Sequence, residues 1–201
     1  MNANVVEQVN QIFQQINQET AAVQMATGLH CPDGCGRCCE NPEVETTVLE
    51  MIPLALELWQ RGEAIEWIDR AIAVDETGPC VFYQADPLVP GNGRCSVYPF
   101  RPAICRLFAF STVKNKRGQS ELAACVRHKE MMPEIVDRAK RAIADGLAAP
   151  NFSEVAIQLA MLDPSGSQQL PINQALKLAL ERVGLIAQFA DGNQNDRTPA
   201  A

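Results

Sequence analysis

Eight cysteines between positions 31 and 125 constrain this 201-residue chain more than any other feature of its sequence. Four of them lie within nine residues and are spaced as C-x3-C-x2-C-C: Cys31, Cys35, Cys38 and Cys39. A loop of this length can wrap one metal ion and direct several sulfurs at it, because the glycines between the cysteines allow sharp turns. Four thiols this close together are poor packing residues, so the segment predicts a metal site.

The remaining cysteines are isolated along the chain, which is typical of ligands that a fold brings together. They are Cys80, Cys95, Cys105 and Cys125. A buried structural cysteine is the alternative for each of them taken singly. A disulfide framework is a further alternative, since eight is an even number. It suits this chain poorly, because 201 residues can build a core without cross-links and a bond between adjacent cysteines would close a strained ring.

The N-terminal residues and the overall charge indicate where these thiols work. The first twenty residues have neither the basic start nor the continuous apolar run of a secretory signal. No apolar run approaches the ~20 residues of a membrane span, and a net charge of −7 disfavours binding to nucleic acid or to anionic membranes. We therefore expect a cytoplasmic protein with reduced thiols that serve metal binding or redox chemistry. A protein partner and the oligomeric state stay open.

Apolar residues recur at helical spacing on both sides of the cysteine region. The predicted helices cover residues 5–23, 47–60, 63–74, 133–147, 153–162 and 172–189. The cysteine region is rich in glycine and proline, which predicts irregular loops and at most one small β-hairpin, between 106–113 and 120–126. The predicted fold class is mainly α, with an irregular cysteine-rich metal-binding core flanked by N- and C-terminal helices.

The same patterns predict a single domain over residues 1–190. Within it, residues 28–128 form the cysteine-cluster metal-binding core and residues 131–189 form the C-terminal helices. The last residues, 191–201, are mostly small and polar and have no helical apolar pattern. We expect them to be a disordered tail.

One segment around two of the later cysteines has a distinctive pattern. The sequence GRCSVYPFRPAICRLF at 93–108 contains C-x-V-Y-x-x-R-P-x-x-C-R. The matching positions are Cys95, Val97, Tyr98, Arg101, Pro102, Cys105 and Arg106. Together with the double cysteine, this pattern resembles the YkgJ-type cysteine-cluster family, which is also described as the CxxCxxCC zinc- or iron-chelating domain.

The resemblance covers about residues 28–128 and implies that all eight cysteines are candidate metal ligands. The sequence departs from the family name in one place, because three residues separate Cys31 from Cys35 where the name implies two. Most members of the family are uncharacterised, and related cysteine clusters occur in flagellin lysine methylases. The resemblance therefore implies a metal centre rather than a particular reaction.

Three functions remain open for such a centre. The one we favour is an iron–sulfur cluster of the [4Fe-4S] type, or iron, held by thiolates for electron transfer, redox sensing or metallocentre assembly. The first alternative is a structural zinc module for protein binding. The second is a component of a radical-type methylase or other redox enzyme, because C-x3-C-x2-C matches the cysteine triad of radical S-adenosylmethionine enzymes. Against it, the chain lacks the strand–helix alternation of their barrel.

Conventional catalytic groups are sparse, so an enzymatic role and the catalytic residues stay unknown. No hydrolase, NTPase or dinucleotide-binding motif is present in the sequence. His30 and His128 lie close to cysteines along the chain. Each is either a metal ligand, since mixed Cys/His sites are common, or a solvent-facing or supporting residue.

Four of the twelve arginines lie within two residues of a cysteine: Arg37, Arg94, Arg106 and Arg127. Guanidinium groups there would offset the negative charge of a tetrathiolate centre, although exposed surface arginines are an equal alternative. We predict that Arg106 is a cofactor-binding residue, which donates hydrogen bonds to a metal-bound sulfur or to a neighbouring carbonyl.

Cys38 and Cys39 are predicted to serve different centres. Neighbouring side chains point to opposite sides of a strand and about 100° apart on a helix, so adjacent thiolates do not easily share one ion. One of the pair would join Cys31 and Cys35, and the other would join thiolates from the downstream cysteines.

Overall fold

The computed structural model describes residues 3–74 and 78–195, and within these ranges the protein is mainly helical, as the sequence predicts. The helices are α1 (Ala3–Thr27), α2 (Arg37–Glu40), α3 (Val48–Gln60), α4 (Ala64–Ala73), α5 (Ala103–Leu107), α6 (Val126–Met131), α7 (Pro133–Ala144), α8 (Phe152–Leu162) and α9 (Ile172–Asn195). Single 3-10 turns cover Tyr98–Phe100 and Pro164–Gly166. None of the helices in these ranges is both long and apolar enough to span a bilayer.

The described residues also form three two-stranded antiparallel sheets, where the sequence predicts at most one hairpin. The strands are β1 (Glu45–Thr46), β2 (Tyr83–Ala85), β3 (Gly93–Cys95), β4 (Thr112–Lys114), β5 (Ser120–Leu122) and β6 (Leu170–Pro171). The predicted hairpin is the β4–β5 pair, shorter than expected because residues 106–107 belong to α5. Strands of two or three residues are too short to show a period-2 pattern, so the β1–β6 and β2–β3 pairs left no signal.

Packing of the long helices builds the frame that holds the cysteine region. One apolar cluster joins α3 to α4 and α9, and its fully buried members include Ile52, Leu176 and Leu180. A second cluster packs α1 against α5 and α8, around Phe13 and Leu107. A third cluster lies between α7 and the β4–β5 hairpin and includes Ala124, the residue before the last cysteine. The cysteine-bearing loops are therefore supported by helices on several sides.

Glu50 links the start of α3 to the start of α5. Its carboxylate accepts hydrogen bonds from the backbone N–H of Thr47 at 3.1 Å and from the Thr47 hydroxyl at 2.9 Å, which completes a capping box. The other carboxylate oxygen accepts from the backbone N–H of Ala103 at 3.0 Å. Glu50 is buried, so this one side chain fixes where α5, which carries Cys105, begins.

The final helix extends beyond its predicted end. Helix α9 continues to Asn195, so it includes the first residues of the segment that the sequence predicts to be a disordered tail. The rest of that segment, residues 196–201, lies outside the described residues. Strand β6 directly precedes α9 and pairs with β1, which joins the C-terminal part of the chain to the residues just after the first cysteine cluster.

Candidate metal centre

The fold collects the cysteines around two adjoining cavities. A cavity of about 410 Å³ is lined by all of them except Cys125. A second cavity, of about 730 Å³, is lined by Cys31, Cys35, Cys38 and Cys125. Three cysteines thus border both cavities, and the isolated downstream cysteines line these cavities together with the N-terminal cluster. All eight are free of disulfide bonds.

The cavities and the mutual charges of the thiols divide the cysteines into two groups. We call Cys39, Cys80, Cys95 and Cys105 the inner cysteines, and Cys31, Cys35 and Cys125 the outer cysteines. The thiol of Cys31 is influenced by its two outer partners, whereas that of Cys105 is influenced by Cys80 and Cys95. Cys38 acts on members of both groups, so it lies between them.

Local backbone structure explains how four neighbouring cysteines reach both cavities. Gly34 has a φ of +69°, which lets the chain turn so that the N–H of Cys35 donates to the carbonyl oxygen of Pro32 at 3.0 Å. After this turn, Cys38 and Cys39 lie on the single helical turn α2. The two adjacent side chains therefore leave the backbone in different directions, and only one of them, Cys38, also lines the larger cavity.

Tyr83 packs between two glycines and holds β3 against α2. A Cβ atom on Gly36 or on Gly93 would overlap its ring, so only glycine fits at either position. The tyrosine hydroxyl shares its proton between the carboxylate of Glu40, at 2.9 Å, and the carbonyl oxygen of Asn92, at 3.0 Å. This close packing brings the strand that ends at an inner cysteine beside the helix that carries the double cysteine.

Burial keeps several of the thiols protonated in the metal-free protein. Burial first, and the neighbouring cysteines second, raise the pKa of Cys31 to about 11. Burial raises the pKa of Cys80 to about 12 and that of Cys105 further still. Because metal ligands must be thiolates, a metal that binds here displaces these protons and stabilises charges that burial alone disfavours.

Three thiols in the centre share hydrogen bonds with one another. Cys39 is hydrogen-bonded to Cys38 and to Cys95, and these contacts raise the pKa of Cys39 well above its usual range. The same contacts are the main cause that lowers the pKa of Cys38 and the pKa of Cys95. Two thiols poised for ionisation around a third suit a cation-binding site, because a metal can take the place of the shared proton.

Arg101 is a positive charge that acts on several of the thiols, and the sequence analysis named it only as a position of the C-x-V-Y-x-x-R-P-x-x-C-R pattern. Its guanidinium group lies 3.3 Å above the centre of the Tyr98 ring, and its Nη1 donates to the carbonyl oxygen of Cys105 at 3.3 Å. Its charge acts to lower the pKa of four thiols, which opposes the effect of burial on Cys31 and Cys105 and adds to the lowering at Cys38 and Cys95. The R-P-x-x-C spacing, one helical turn before a cysteine, was the signal that could have identified it.

Arg106, predicted to bind the cofactor, lines the 410 Å³ cavity and is buried. Its guanidinium donates to the carbonyl oxygens of Arg101 and Pro99 and to the side-chain oxygen of Asn17, at 2.7, 2.5 and 3.0 Å. It also lies over the ring of Phe13 in α1. Burial, followed by the charge of Arg101, lowers its pKa to about 10. The neighbouring-carbonyl part of the prediction matches these contacts, whereas cofactor binding itself stays a prediction.

The other three arginines near cysteines have different surroundings. Arg37 pairs with Glu40 at the surface, and Arg94 donates to the side chain of Gln84. Arg127 donates to the carbonyl oxygen of Gly91 at 3.0 Å and approaches the sulfur of Cys35 at 3.9 Å. In the part of the chain that the structure describes, Arg127 is the arginine with a hydrogen bond to a cysteine sulfur.

The two histidines differ in their environment. His30 is exposed, and its Nδ1 pairs with the carbonyl oxygen of Gly28 at 2.8 Å. His128 is completely buried and lines the 730 Å³ cavity. Burial, and secondarily the proximity of His30, lower the pKa of His128.

The donor chemistry of the two cavities fits zinc or iron, since thiolates are preferred ligands of both. Among the described residues, no three cysteine, histidine, aspartate or glutamate side chains are close enough together to hold one ion as they stand. The thiols line the walls of the cavities instead of converging on one point. Which of the eight cysteines bind metal therefore stays a prediction.

A comparison with protein families agrees with the chemistry of these cavities. The model of a family described as "CxxCxxCC: Putative zinc- or iron-chelating domain" matches residues 30–132, just over half of the chain. No curated protein and no solved structure matches the chain.

Proposed function

The chain belongs to the CxxCxxCC family of zinc- or iron-chelating domains, and on this premise we propose that its thiolates hold an iron–sulfur centre. The centre would serve electron transfer, redox sensing or metallocentre assembly in the reducing cytoplasm. The observation that supports this most is the cavity of about 410 Å³ whose wall carries seven of the eight cysteines.

We assign one metal centre to each group of cysteines. The inner cysteines supply four thiolates on the wall of one cavity, which is the number that an iron–sulfur cluster or a closed zinc site requires. The outer cysteines supply three around the larger cavity. Cys38 borders both centres. This division keeps the adjacent Cys38 and Cys39 in different positions, as the geometry of α2 favours.

Residues of this chain prepare the inner centre in three ways. Arg101 faces the thiols and offsets part of the charge of about −2 that four thiolates and their metal carry. Arg106 holds the backbone of the Pro99–Arg101 turn, so that Arg101 keeps its direction. Cys80 and Cys105 are half-buried, which limits the access of water. An iron–sulfur centre in this place supplies one-electron redox chemistry and needs no further catalytic group.

A structural zinc site is the second candidate, and one contact favours it. Cys39 is within hydrogen-bonding range of both Cys38 and Cys95, so three sulfurs already lie near one another. A tetrahedral zinc ion, with each sulfur about 2.3 Å from the metal, would have to draw them closer still, because among the described residues no three ligands stand close enough for one ion. In that case the centre would contribute to the stability of the fold and to protein binding rather than to redox chemistry.

A component of a radical-type methylase or other redox enzyme is the third candidate. The C-x3-C-x2-C triad of Cys31, Cys35 and Cys38 lines the cavity of about 730 Å³, which has room for a small molecule beside a metal centre. A partner protein would have to supply the rest of such an enzyme, since the described residues form no barrel.

The deciding experiment is purification without oxygen, followed by measurement of iron, acid-labile sulfide and zinc per chain. We expect iron and sulfide in similar amounts, with a broad visible absorbance that dithionite bleaches. A variant with serine at the four inner positions should lose most of this absorbance, and Lys116→Ala, at an exposed loop position, should retain it. Zinc without iron would support the structural alternative, and protein free of both metals would contradict the proposal.

A further inference from the structure

His128 is completely buried, and neither Nδ1 nor Nε2 of its ring has a hydrogen-bond partner. Within the described ranges, the other buried side-chain polar atoms without a partner are two threonine hydroxyls. An imidazole always presents two polar nitrogens, so two unmet groups in one buried ring are unfavourable. This arrangement points to a partner that is not part of the polypeptide.

The surroundings of His128 connect this residue to the outer cysteines. It follows Cys125 by three residues in α6, and its backbone N–H donates to the sulfur of Cys125 at 3.3 Å. The ring packs edge-on against Phe110, with their centres 5.5 Å apart. His128 also lines the 730 Å³ cavity together with Cys31 and Cys35. A nitrogen donor is thus available at the cavity that the three outer cysteines and Cys38 line.

The backbone of His30 is a second neighbour of the His128 ring. His30, the residue before Cys31, presents its backbone to the His128 imidazole closely enough to influence its charge, although no hydrogen bond of regular geometry joins them. Metal-bound histidines usually offer one nitrogen to the metal and donate the N–H of the other to a carbonyl. The His30 backbone is therefore a candidate second partner for the ring when one of its nitrogens binds metal.

We propose that His128 gives an imidazole nitrogen to the outer centre, where it completes a set of three thiolates and one imidazole with Cys31, Cys35 and Cys125. The inference rests on the proposed function, because it requires the outer centre to exist. It also assigns Cys38, which borders both cavities, to the space between the two centres instead of the fourth outer position. Mixed sites of this kind are well suited to zinc and to iron.

The test uses the full chain, stripped of metal and reloaded with Zn²⁺ alone. His128→Phe removes the nitrogen donors and keeps a buried aromatic ring. Cys125→Ser removes one thiolate of the outer centre and shows how much zinc the chain loses when that centre is broken. His30→Ala is the matched control, since His30 is the other histidine and is exposed. We expect the first two variants to lose the same amount of zinc per chain, the double variant to lose no more than either, and His30→Ala to bind like the wild type.

X-ray absorption at the zinc edge gives a second measurement. The wild type and His30→Ala should show a nitrogen neighbour at about 2.0–2.1 Å from zinc, which His128→Phe should lack. If His128→Phe does not fold, His128→Cys tests the same role. This variant should bind zinc, and its X-ray absorption should show a sulfur neighbour in place of the nitrogen.

The outcomes separate this inference from the proposed function. Full zinc binding by His128→Phe, with loss in Cys125→Ser, would overturn the role of His128 and leave the outer centre intact. A wild type without the nitrogen neighbour, or a His128→Cys variant that keeps it, would also overturn that role. Full zinc binding by Cys125→Ser would instead contradict the outer centre itself.

Discussion

Arg106 donates a hydrogen bond from Nε to the carbonyl oxygen of Arg101 at 2.7 Å, so the buried side chain of Arg106 supports the backbone of Arg101. Arg101 faces four of the thiols, whereas Arg106 is turned towards α1, where it contacts Asn17 and Phe13. The positive charge of Arg101 is close enough to disfavour that of Arg106 and helps to lower its pKa. A negatively charged metal–thiolate centre would offset this repulsion.

This arrangement predicts that Arg106 affects metal retention through Arg101. Arg106→Ala removes three buried hydrogen bonds from a charged donor, so we expect it to lower the free energy of unfolding by about 3 kcal/mol and to speed the loss of metal to a chelator. Lys116→Ala, in an exposed loop, is the control and should change neither quantity. Equal rates of metal loss in the two variants would contradict the prediction.

Arg101→Lys separates charge from position. Lysine keeps the positive charge but cannot reproduce the stacking on Tyr98 and the bond to the Cys105 carbonyl together. We expect retention of metal to fall in Arg101→Lys by less than in Arg101→Ala, measured as the chelator concentration that removes half of the metal. A lysine variant as weak as the alanine variant would show that position, not charge, determines the effect.

Single replacement of the adjacent cysteines tests whether they serve different centres. Cys38→Ser and Cys39→Ser should each cause a partial loss of metal per chain, because Cys39 lines one cavity and Cys38 borders both. The loss in Cys39→Ser should match that in Cys80→Ser, its partner on the inner wall. Complete loss of metal in each single variant would instead indicate one shared centre.

The packing of Tyr83 predicts a large effect of a single methyl group at Gly93. A Cβ there would overlap the tyrosine ring and lie 2.6 Å from the carbonyl oxygen of Gln84. We expect Gly93→Ala to lower the free energy of unfolding by about 1–3 kcal/mol and to weaken metal binding at the adjacent Cys95. Gly91→Ala is the control, because a Cβ there meets no neighbour and its positive φ costs only about 1 kcal/mol. Equal effects on metal binding would contradict this explanation.

The thiol pKa values predict how the stability of the metal-free protein depends on pH. Free thiols in the unfolded chain ionise near pH 9, whereas Cys31 and Cys80 do so at about 11 and 12 in the folded protein. Their contribution to stability is complete below pH 9 and is lost as the pH rises towards these values. The lowered pKa of Cys38 and of Cys95 acts below pH 9, where their contribution is lost as the pH falls.

We therefore expect the urea midpoint of the metal-free protein to be highest near pH 9 and to fall by pH 10.5. In Cys80→Ser the fall above pH 9 should be smaller than in the wild type. A midpoint that rises steadily from pH 9 to pH 10.5 would contradict the protonated state of the buried thiols.

The helices could be predicted from the sequence because their apolar spacing is long and regular. Ile172, Leu176 and Leu180 follow one another at four-residue intervals and are all buried against α3. The strand pair of Glu45–Thr46 with Leu170–Pro171 could not be predicted in this way. Two residues carry no periodicity, and their partners lie more than 120 positions away.

The sequence supplies the eight candidate ligands, whose role stays a prediction, but it could not give their division between two cavities. Spacing alone groups Cys125 with no other cysteine, and only the packing of α6 brings it beside Cys31. Arg101 was missed for a related reason. Proximity along the chain selected arginines within two residues of a cysteine, whereas Arg101 reaches the thiols from one helical turn before Cys105.

The pairing of β1 with β6 also has a consequence for the synthesis of the protein on the ribosome. Leu170, which starts the closing strand, is synthesised 45 residues after Cys125, and α9 ends a further 25 residues later. At about 5–20 residues per second, all eight thiols have been made roughly 3–14 s before the helix that packs on α3 is complete. During this interval the nascent chain exposes reactive sulfur without its final support. The order of synthesis therefore implies that a metal centre gains the support of α9 only after all of its candidate ligands have left the ribosome's active site.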